Sequence, residues 1–522
     1  MSENCIKTQI GWNSSLEVNL SPLNFKKTSI ICTIGPASCS PELIVQMREK
    51  GMNIARLNFS HGTHQLHGEY IEALRKSDAF YPHRPIAIAL DTKGPEIRTG
   101  SIAPNVPFVE IKAGSTVIVT VDRARENSCD ATGLFVDYPL IAEAVRETKK
   151  IFIADGVLCL EVEEFLKGGD LRCRARNSFH LTSKKGVNLP GASVNLPALS
   201  AKDVEDLKFA VEMGLDIIFA SFIRKGSDVD EIRSLLLQCC PSKGKHMKII
   251  CKIESAEGIQ NFDQILERSD GIMVARGDLG IEIAAEKVFV AQKMMIAKCN
   301  LAGKPAICAT QMLESMISNP RPTRAEVSDV ANAVLDGADC LMLSGESAGG
   351  NYPVEATEMM HKTIVEAEST ISYLSVYEQL RNSVKHFSST QILASSAVNA
   401  SLSDEIQAII VLTISGYTAQ AVARFRPEVP ILVVTRNAET ARQLMLYRGC
   451  FAFYFPTKEK GLSDANQDRH WQSDVDNRIH WAIEQGKRMG LIVCGKHIVA
   501  IQGWKGGFGN TNTLRILPVA EE

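Results

Sequence analysis

Residues 248–278 read KIICKIESAEGIQNFDQILERSDGIMVARGD. Two short apolar runs, KIICK (248–252) and GIMVA (271–275), each hand over to charged residues: Glu254 after the first, Arg276-Gly277-Asp278 after the second. Neither run alternates cleanly, which is the pattern of a strand buried on both faces of a parallel sheet. Working outward, the pattern recurs at TSIICTI (28–34), NIARL (53–57), IAIAL (86–90), DIIFA (216–220), PAICA (305–309) and DCLML (339–343). Helical stretches lie between runs, among them 41–50, 202–213 and 323–335. Eight strand–helix repeats predict an α/β fold of the (β/α)8 TIM-barrel type rather than an open sheet.

The spacing breaks once. Residues 91–215 separate the third run from the fourth, where a βα unit needs only about 30 residues. Here KAGSTVIVTVD, KIFIADGVLCLEVEEF and DLRCRARNSFHLTS alternate apolar with polar residues between Gly, Asp and Asn turns. That reads as an antiparallel β-barrel domain inserted after strand three, above the C-terminal mouth of the barrel, where it can act as a lid. Past residue 370, AIIVLT (408–413), PILVVT (430–435) and LIVC (491–494) read as parallel strands of a C-terminal open-sheet domain, with TAQAVARF and ETARQLMLYR as helices and 456–475 as polar loop. The expected division is an N-terminal segment 1–24 without an assignable job, a barrel of 25–94 and 198–371, a lid of 95–197 and a C-terminal domain of 372–522.

Composition narrows the function classes. The 522 residues are 45% hydrophobic and 22% charged, ordinary globular usage with ample material for a large core. Basic and acidic residues number 57 and 60, so no overall electrostatic footprint for nucleic acid or an anionic membrane exists. No apolar run approaches the roughly 18 residues that span a bilayer. The N-terminus MSENCIKTQIGWNSS lacks the pattern of a signal or transit peptide. The 14 cysteines are scattered without a CxxC. Those within strand-like runs (Cys32, Cys251, Cys308, Cys340) read as buried reduced thiols, in keeping with a soluble cytoplasmic protein.

The common kinase signatures GxxxxGK[ST], GxGxxG and HRD with DFG are absent. Gly345-Glu346-Ser347-Ala348-Gly349 satisfies G-x-S-x-G, but Gly349-Gly350-Asn351-Tyr352-Pro353 separates Ser347 from the next helix, the wrong context for a nucleophile elbow. The informative residues are those just after the eight runs, because strand C-termini converge on one barrel mouth. Strand two leads to Arg56, Asn58, Ser60 and His61; strand three to Asp91, Thr92, Glu96 and Arg98. Strands four to eight lead to Ser221, to Lys252 and Glu254, to Arg276-Gly277-Asp278, to Thr310, and to Ser344 and Glu346. Glu254 and Asp278 can meet as a hard-oxygen pair for Mg²⁺ or Mn²⁺; the competing reading is that they cap helices or pair with Arg276. Lys252, two residues before Glu254 on the same strand face, suits a developing phosphoryl charge. Arg56, Arg98 and Lys185 can hold phosphate oxygens. Asn58, Ser60, Asp91 and Thr92 form an oxygen-rich set suited to a monovalent cation, or else an ordinary turn network.

ICTIGPAS, GMNIARLNFSHG, DTKGPEIRTG, SKKGVNLPG, DIIFASFIRK, KIESAEGI, DGIMVARGDLG, ATQMLESM and RPTRAEVSDVANAVLDGAD leading into LSGES resemble pyruvate kinase, from about residue 25 to the C-terminus. The resemblance implies transfer of phosphate from phosphoenolpyruvate to ADP, giving ATP and pyruvate. It implies that Lys252 stabilises the phosphoryl in transit and that Glu254 and Asp278 hold Mg²⁺ or Mn²⁺. Arg56, Lys252, Gly277, Asp278 and Thr310 would line the phosphoenolpyruvate site, with Thr310 near the proton delivered to the enolate. Asn58, Ser60, Asp91 and Thr92 match the family's K⁺ ligands, and Glu96 resembles K⁺-dependent members. Asn58, His61, Arg98 and Lys185 match its nucleotide (ADP/ATP) contacts. A homotetramer is what the family suggests.

In the C-terminal domain, Thr413-Ile414-Ser415-Gly416-Tyr417-Thr418 follows a strand and opens a helix, which makes an anion site or a plain turn. The resemblance implies a sugar-bisphosphate activator, fructose 1,6-bisphosphate, held by Thr413, Ser415, Gly416 and Thr418 with Trp471, Arg478 and the loop 503–512. Ile414 stands where some regulated members carry a basic residue. Two other readings share part of the pattern: a metal-dependent barrel aldolase, and a catalytically silent scaffold relative.

Overall fold

The computed structural model describes residues 8–19, 21–22, 24–456, 467–505, 507 and 509–520. Eight parallel strands close into a barrel: β1 (Ser29–Thr33), β2 (Met52–Asn58), β3 (Ala87–Asp91), β4 (Ile217–Ala220), β5 (Lys248–Ile253), β6 (Gly271–Ala275), β7 (Ala306–Ala309) and β8 (Cys340–Leu343). Every residue of β1, β3, β4, β6, β7 and β8 is buried, which is why these runs lack alternation. One set of side chains faces the surrounding helices, with Ile30, Leu57, Ile88, Cys251 and Val274 in a continuous core. The other set fills the barrel axis, with Ile31, Ile54, Phe219, Ile250, Met273 and Ile307. The flanking helices begin at side-chain caps: Ser200 and Thr323 each form a reciprocal capping box, with Asp203 and Glu326.

The insertion leaves the barrel between β3 and β4. It builds a seven-stranded sheet from Ile97–Arg98 to Gly186–Asn188, with a two-stranded sheet beside it. The bridge Thr99–Val136 joins the two edges of the large sheet and curls it shut around a core of Val117, Leu134, Ile151, Leu160 and Cys173. Most pairings are antiparallel as expected, but Thr116–Thr120 and Gly133–Phe135 run parallel. At the barrel end of the connection Gly94 has φ +73°, and a Cβ there would meet Phe222 at 2.8 Å, so only glycine fits this turn.

The C-terminal sheet has β9 (Ile406–Leu412), β10 (Ile431–Thr435), β11 (Cys450–Tyr454), β12 (His497–Gly503) and β13 (Thr511–Pro518), in the order β11-β10-β9-β12-β13. Two expectations are corrected here. LIVC (491–494) is not a strand; Leu491 and Ile492 are buried because they pack on the sheet, and the third parallel strand beside β9 is β12. The segment 456–475 is not all loop: a helix spans Gln467–Arg488, its polarity that of an exposed face, while 457–466 lie outside the described residues. ETARQLMLYR is helical only over Ala438–Gln443, then tightens into a 3₁₀ turn. The barrel's axial core continues into this domain through Met445 and Leu446, so the C-terminal domain plugs the barrel floor. The N-terminal segment contributes a short helix, Gln9–Ser14, whose Trp12 indole donates to the Thr370 carbonyl at 2.7 Å.

Candidate active site

Lys252 comes up β5 with its ammonium at the C-terminal mouth, buried. Nζ donates to Asp91 Oδ1 at 3.1 Å and Ser221 Oγ at 2.8 Å, and lies 3.0 Å from Glu254 Oε1. Asp91, at the end of β3, receives Arg56 Nε at 2.6 Å on its other oxygen. Arg56 in turn donates to Thr33 Oγ1 at 2.9 Å. Strands β1, β2, β3 and β5 therefore converge on one charge cluster. Burial opposes the charge on Lys252 and on Asp91 alike, but the ion pairs outweigh it: the lysine is raised and the aspartate lowered, so both stay charged.

Glu254 is buried, and its Oε2 accepts the Phe222 amide at 2.5 Å. Burial pushes its carboxyl up to about 7, with Lys252 pulling down and Asp278 adding repulsion. Asp278 is raised too, first by burial and further by Asp155 and Glu96. A buried and a half-buried carboxylate side by side, both held above their usual range, form a site that an added cation relieves, and hard oxygen donors suit Mg²⁺ or Mn²⁺. Among the described residues no group of three or more His, Cys, Asp or Glu gathers to hold a metal. The competing pairing with Arg276 does not occur: its Nη1 binds Asp329 at 2.7 Å. Asp278 stands in the first turn of the helix Arg276–Glu282.

Gly277 and Thr310 meet at the mouth, where a Cβ on Gly277 would sit 2.8 Å from Thr310 Cγ2. Thr310 and Gln311 have φ of +74° and +56°, a conformation uncommon for any side-chain-bearing residue and an outlier for a β-branched one. Asn58 pairs with Asp91 across β2 and β3, and its Oδ1 accepts the Ser60 amide at 3.1 Å. Thr92 Oγ1 accepts the Ser221 amide at 3.0 Å. Of the nucleotide set, Asn58 ends β2 and the exposed His61 follows it on the barrel, whereas Arg98 and Lys185 sit on the lid. Arg98 is tied to Glu96 at 2.5 Å and to the Lys184 carbonyl at 2.7 Å. Ser344 and Glu346 turn out structural: Glu346 accepts the amides of Leu313 and Ser344. Ser347 is buried with its hydroxyl donated to the Thr33 carbonyl, so it is no nucleophile elbow.

A cleft between lid and barrel is lined by Glu96, Asp155, Asn188, Phe222, Glu254, Asp278 and Glu282. Sequence reading missed Asp155, Asn188 and Glu282; Asp155 and Asn188 belong to the lid, which only the fold brings to Asp278, whereas Glu282 lies one helical turn beyond Asp278 in the same helix. Thr33 was also missed, although it ends β1 just as the recognised residues end their strands.

A family model for the pyruvate kinase barrel domain matches residues 25–357, and one for the pyruvate kinase alpha/beta domain matches 391–517. The pyruvate kinase of Hypocrea jecorina is 49% identical, covering 98% of this chain and 93% of the relative. That of Agaricus bisporus is 50% identical over 98% and 96%, and human pyruvate kinase PKLR 50% identical over 97% and 87%. The chain belongs to the pyruvate kinase family. It is a phosphotransferase that moves the phosphoryl group of phosphoenolpyruvate to ADP, giving ATP and pyruvate in glycolysis.

The C-terminal domain of this pyruvate kinase carries a second cavity, lined by Thr413, Ser415, Thr418, Trp471, Arg478 and Lys505. Gly416 has φ +84° and donates its amide to Thr413 Oγ1 at 3.0 Å; Thr418 Oγ1 lies 3.0 Å from Thr511 Oγ1. Arg478 stands 5.4 Å over the Trp471 ring and pairs with Asp474 at 2.9 Å. Gly506 and Phe508 of the adjoining loop lie outside the described residues.

Proposed function

We propose that the pyruvate kinase reaction runs at the Lys252–Glu254–Asp278 cluster, with Arg56 and Thr310 completing it. The carrying observation is the buried Lys252 ammonium held between Asp91 and Glu254 at the strand ends. In the reaction the bond between phosphorus and the enol oxygen of phosphoenolpyruvate breaks and one to a β-phosphate oxygen of ADP forms. The enolate left behind takes a proton at C3 and becomes pyruvate. Charge neutralisation and positioning are nearly all that phosphoryl transfer asks of a protein. Lys252 and Arg56 supply fixed positive charge to the moving phosphoryl, and Thr310, against Gly277, lies at the proton delivered to C3. Glu254 and Asp278 would hold a divalent ion, which when bound would supply Lewis-acid charge to the phosphate oxygens.

Asn58, Ser60, Asp91 and Thr92 are the residues for K⁺; each keeps oxygen lone pairs beyond its contacts, and Asp91 brings the one formal charge. Asn58 and His61 from the barrel and Arg98 and Lys185 from the lid would take ADP as the lid closes and excludes water. The cavity at Thr413–Thr418 suits a sugar bisphosphate, with hydroxyls and amides at a helix N-terminus facing Arg478 and Lys505. The edge strand β13, with Ile516 outward, offers a surface for one copy-to-copy contact of the homotetramer the family suggests. Every described cysteine is free, which supports a cytoplasmic location.

The test is an ADP-dependent assay of pyruvate formation from phosphoenolpyruvate, with Mg²⁺ and K⁺ omitted in turn. Turnover needs both ions; unchanged turnover after chelation and K⁺ removal overturns the cation assignments. A titration of fructose 1,6-bisphosphate that leaves phosphoenolpyruvate half-saturation unmoved overturns the effector assignment.

A further inference from the structure

Arg276 directly precedes Gly277, yet its side chain turns away from the two metal-site carboxylates. Nε lies 3.3 Å from the Ala309 carbonyl and 3.2 Å from that of Thr310; Nη2 donates to the carbonyls of Thr310 at 2.8 Å and Gln311 at 3.3 Å. Three consecutive carbonyls thus face one guanidinium. Nη1 is anchored on Asp329 at 2.7 Å and on Gln292 Oε1 at 3.4 Å, from two different helices. The side chain is 11% exposed.

The turn so gripped is the one where Thr310 and Gln311 both take positive φ. A β-branched residue leaves that region unless its surroundings over-determine it. Five donors in a rigid planar fork can hold several carbonyls at once, which a lysine cannot do. On the other side of the turn, Gly277 leaves just enough room for the Thr310 methyl.

We propose that Arg276 is a positioning residue for the proton-delivery step: by clamping the carbonyls of 309–311 it holds the strained turn that sets Thr310 against Gly277. The proposal rests on the reading of Thr310 as the group at that proton. It predicts that Arg276 acts on the reaction through Thr310, and that lysine is a poor substitute.

Two activities separate the steps: ATP formation from phosphoenolpyruvate and ADP, and enzyme-catalysed exchange of C3 hydrogens of pyruvate with D2O, which requires no phosphoryl transfer. R276A, R276K, T310A and R276A/T310A are compared, with thermal melts to check folding. Exchange should fall on the order of 100-fold in T310A and in both Arg276 variants, and more than ATP formation does. The double variant should be no slower than T310A alone, and added methylguanidinium should restore part of the exchange in R276A but none in R276A/T310A. If R276A fails to fold, R276K and R276K/T310A carry the same comparison. Multiplying losses in the double variant, or an equal fall of both activities without guanidinium rescue, overturn the role of Arg276. Exchange left intact in T310A overturns instead the reading of Thr310, and the positioning proposal with it.

Discussion

On the function proposed above, Lys252 is the residue on which the site's chemistry turns. Its ammonium stays protonated because Asp91 and Glu254 outweigh the burial that disfavours it. It is therefore a fixed charge, not a base, around neutral pH. Substituting methionine keeps the stem's volume and removes the charge. Lys252→Met should lower kcat by on the order of 1,000-fold or more while the phosphoenolpyruvate dissociation constant shifts less than about tenfold, since the lost interaction strengthens in the transition state. Turnover near wild type, measured alongside direct ligand titration, refutes that role.

At the scale of elements, the lid meets the barrel along the helix Arg276–Glu282. Asn188 of the lid donates to Glu282 Oε1 at 3.4 Å, and the lid turn at Gly156 stands against Ile281. Burial raises the Glu282 carboxyl to about 7. A raised acid binds its proton more tightly in the folded than in the unfolded chain. Its contribution is therefore fully present below about pH 4.5 and is lost as pH rises through 7, by at most about 3 kcal/mol. Glu282→Gln should flatten that loss, so its stability relative to wild type should rise from pH 5 to pH 8 in urea unfolding. An identical pH profile for the two proteins rejects the assignment.

The barrel strands were legible at this scale because residues buried on both faces leave an unmistakable apolar run, and their polar followers named Lys252, Glu254 and Asp278 directly. LIVC misled because burial against a sheet yields the same composition as membership in one. Asn188 and Glu282 were illegible because they are far apart in sequence and meet only where the lid folds back on the barrel.

For the whole molecule, the decisive junction is the barrel floor, where buried carboxylates from two strand starts and from the end of the helix Pro353–Ser369 face arginines of the C-terminal domain. Asp339 is held by Arg426 at 2.6 and 2.9 Å and by the Arg448 amide at 3.1 Å. Asp216 takes Arg442 at 2.7 Å, and Glu368 accepts the amides of Lys27 and Thr28 with Arg448 3.6 Å away. Such pairs add little net stability over an apolar contact, but losing one partner strands a buried charge at about 3–5 kcal/mol. Arg426→Met should therefore destabilise the junction by roughly that amount, turning one unfolding transition into two as the C-terminal domain lets go of the barrel. The double variant Asp339→Asn/Arg426→Met should recover part of the loss, because no unpaired charge remains. The floor joins the domain of the Thr413–Thr418 cavity to the barrel, so on the effector assignment proposed above Arg426→Met should also weaken any shift in phosphoenolpyruvate half-saturation that fructose 1,6-bisphosphate causes. A single, unshifted transition in calorimetry shows instead that the apolar plug of Met445 and Leu446 alone holds the two domains together.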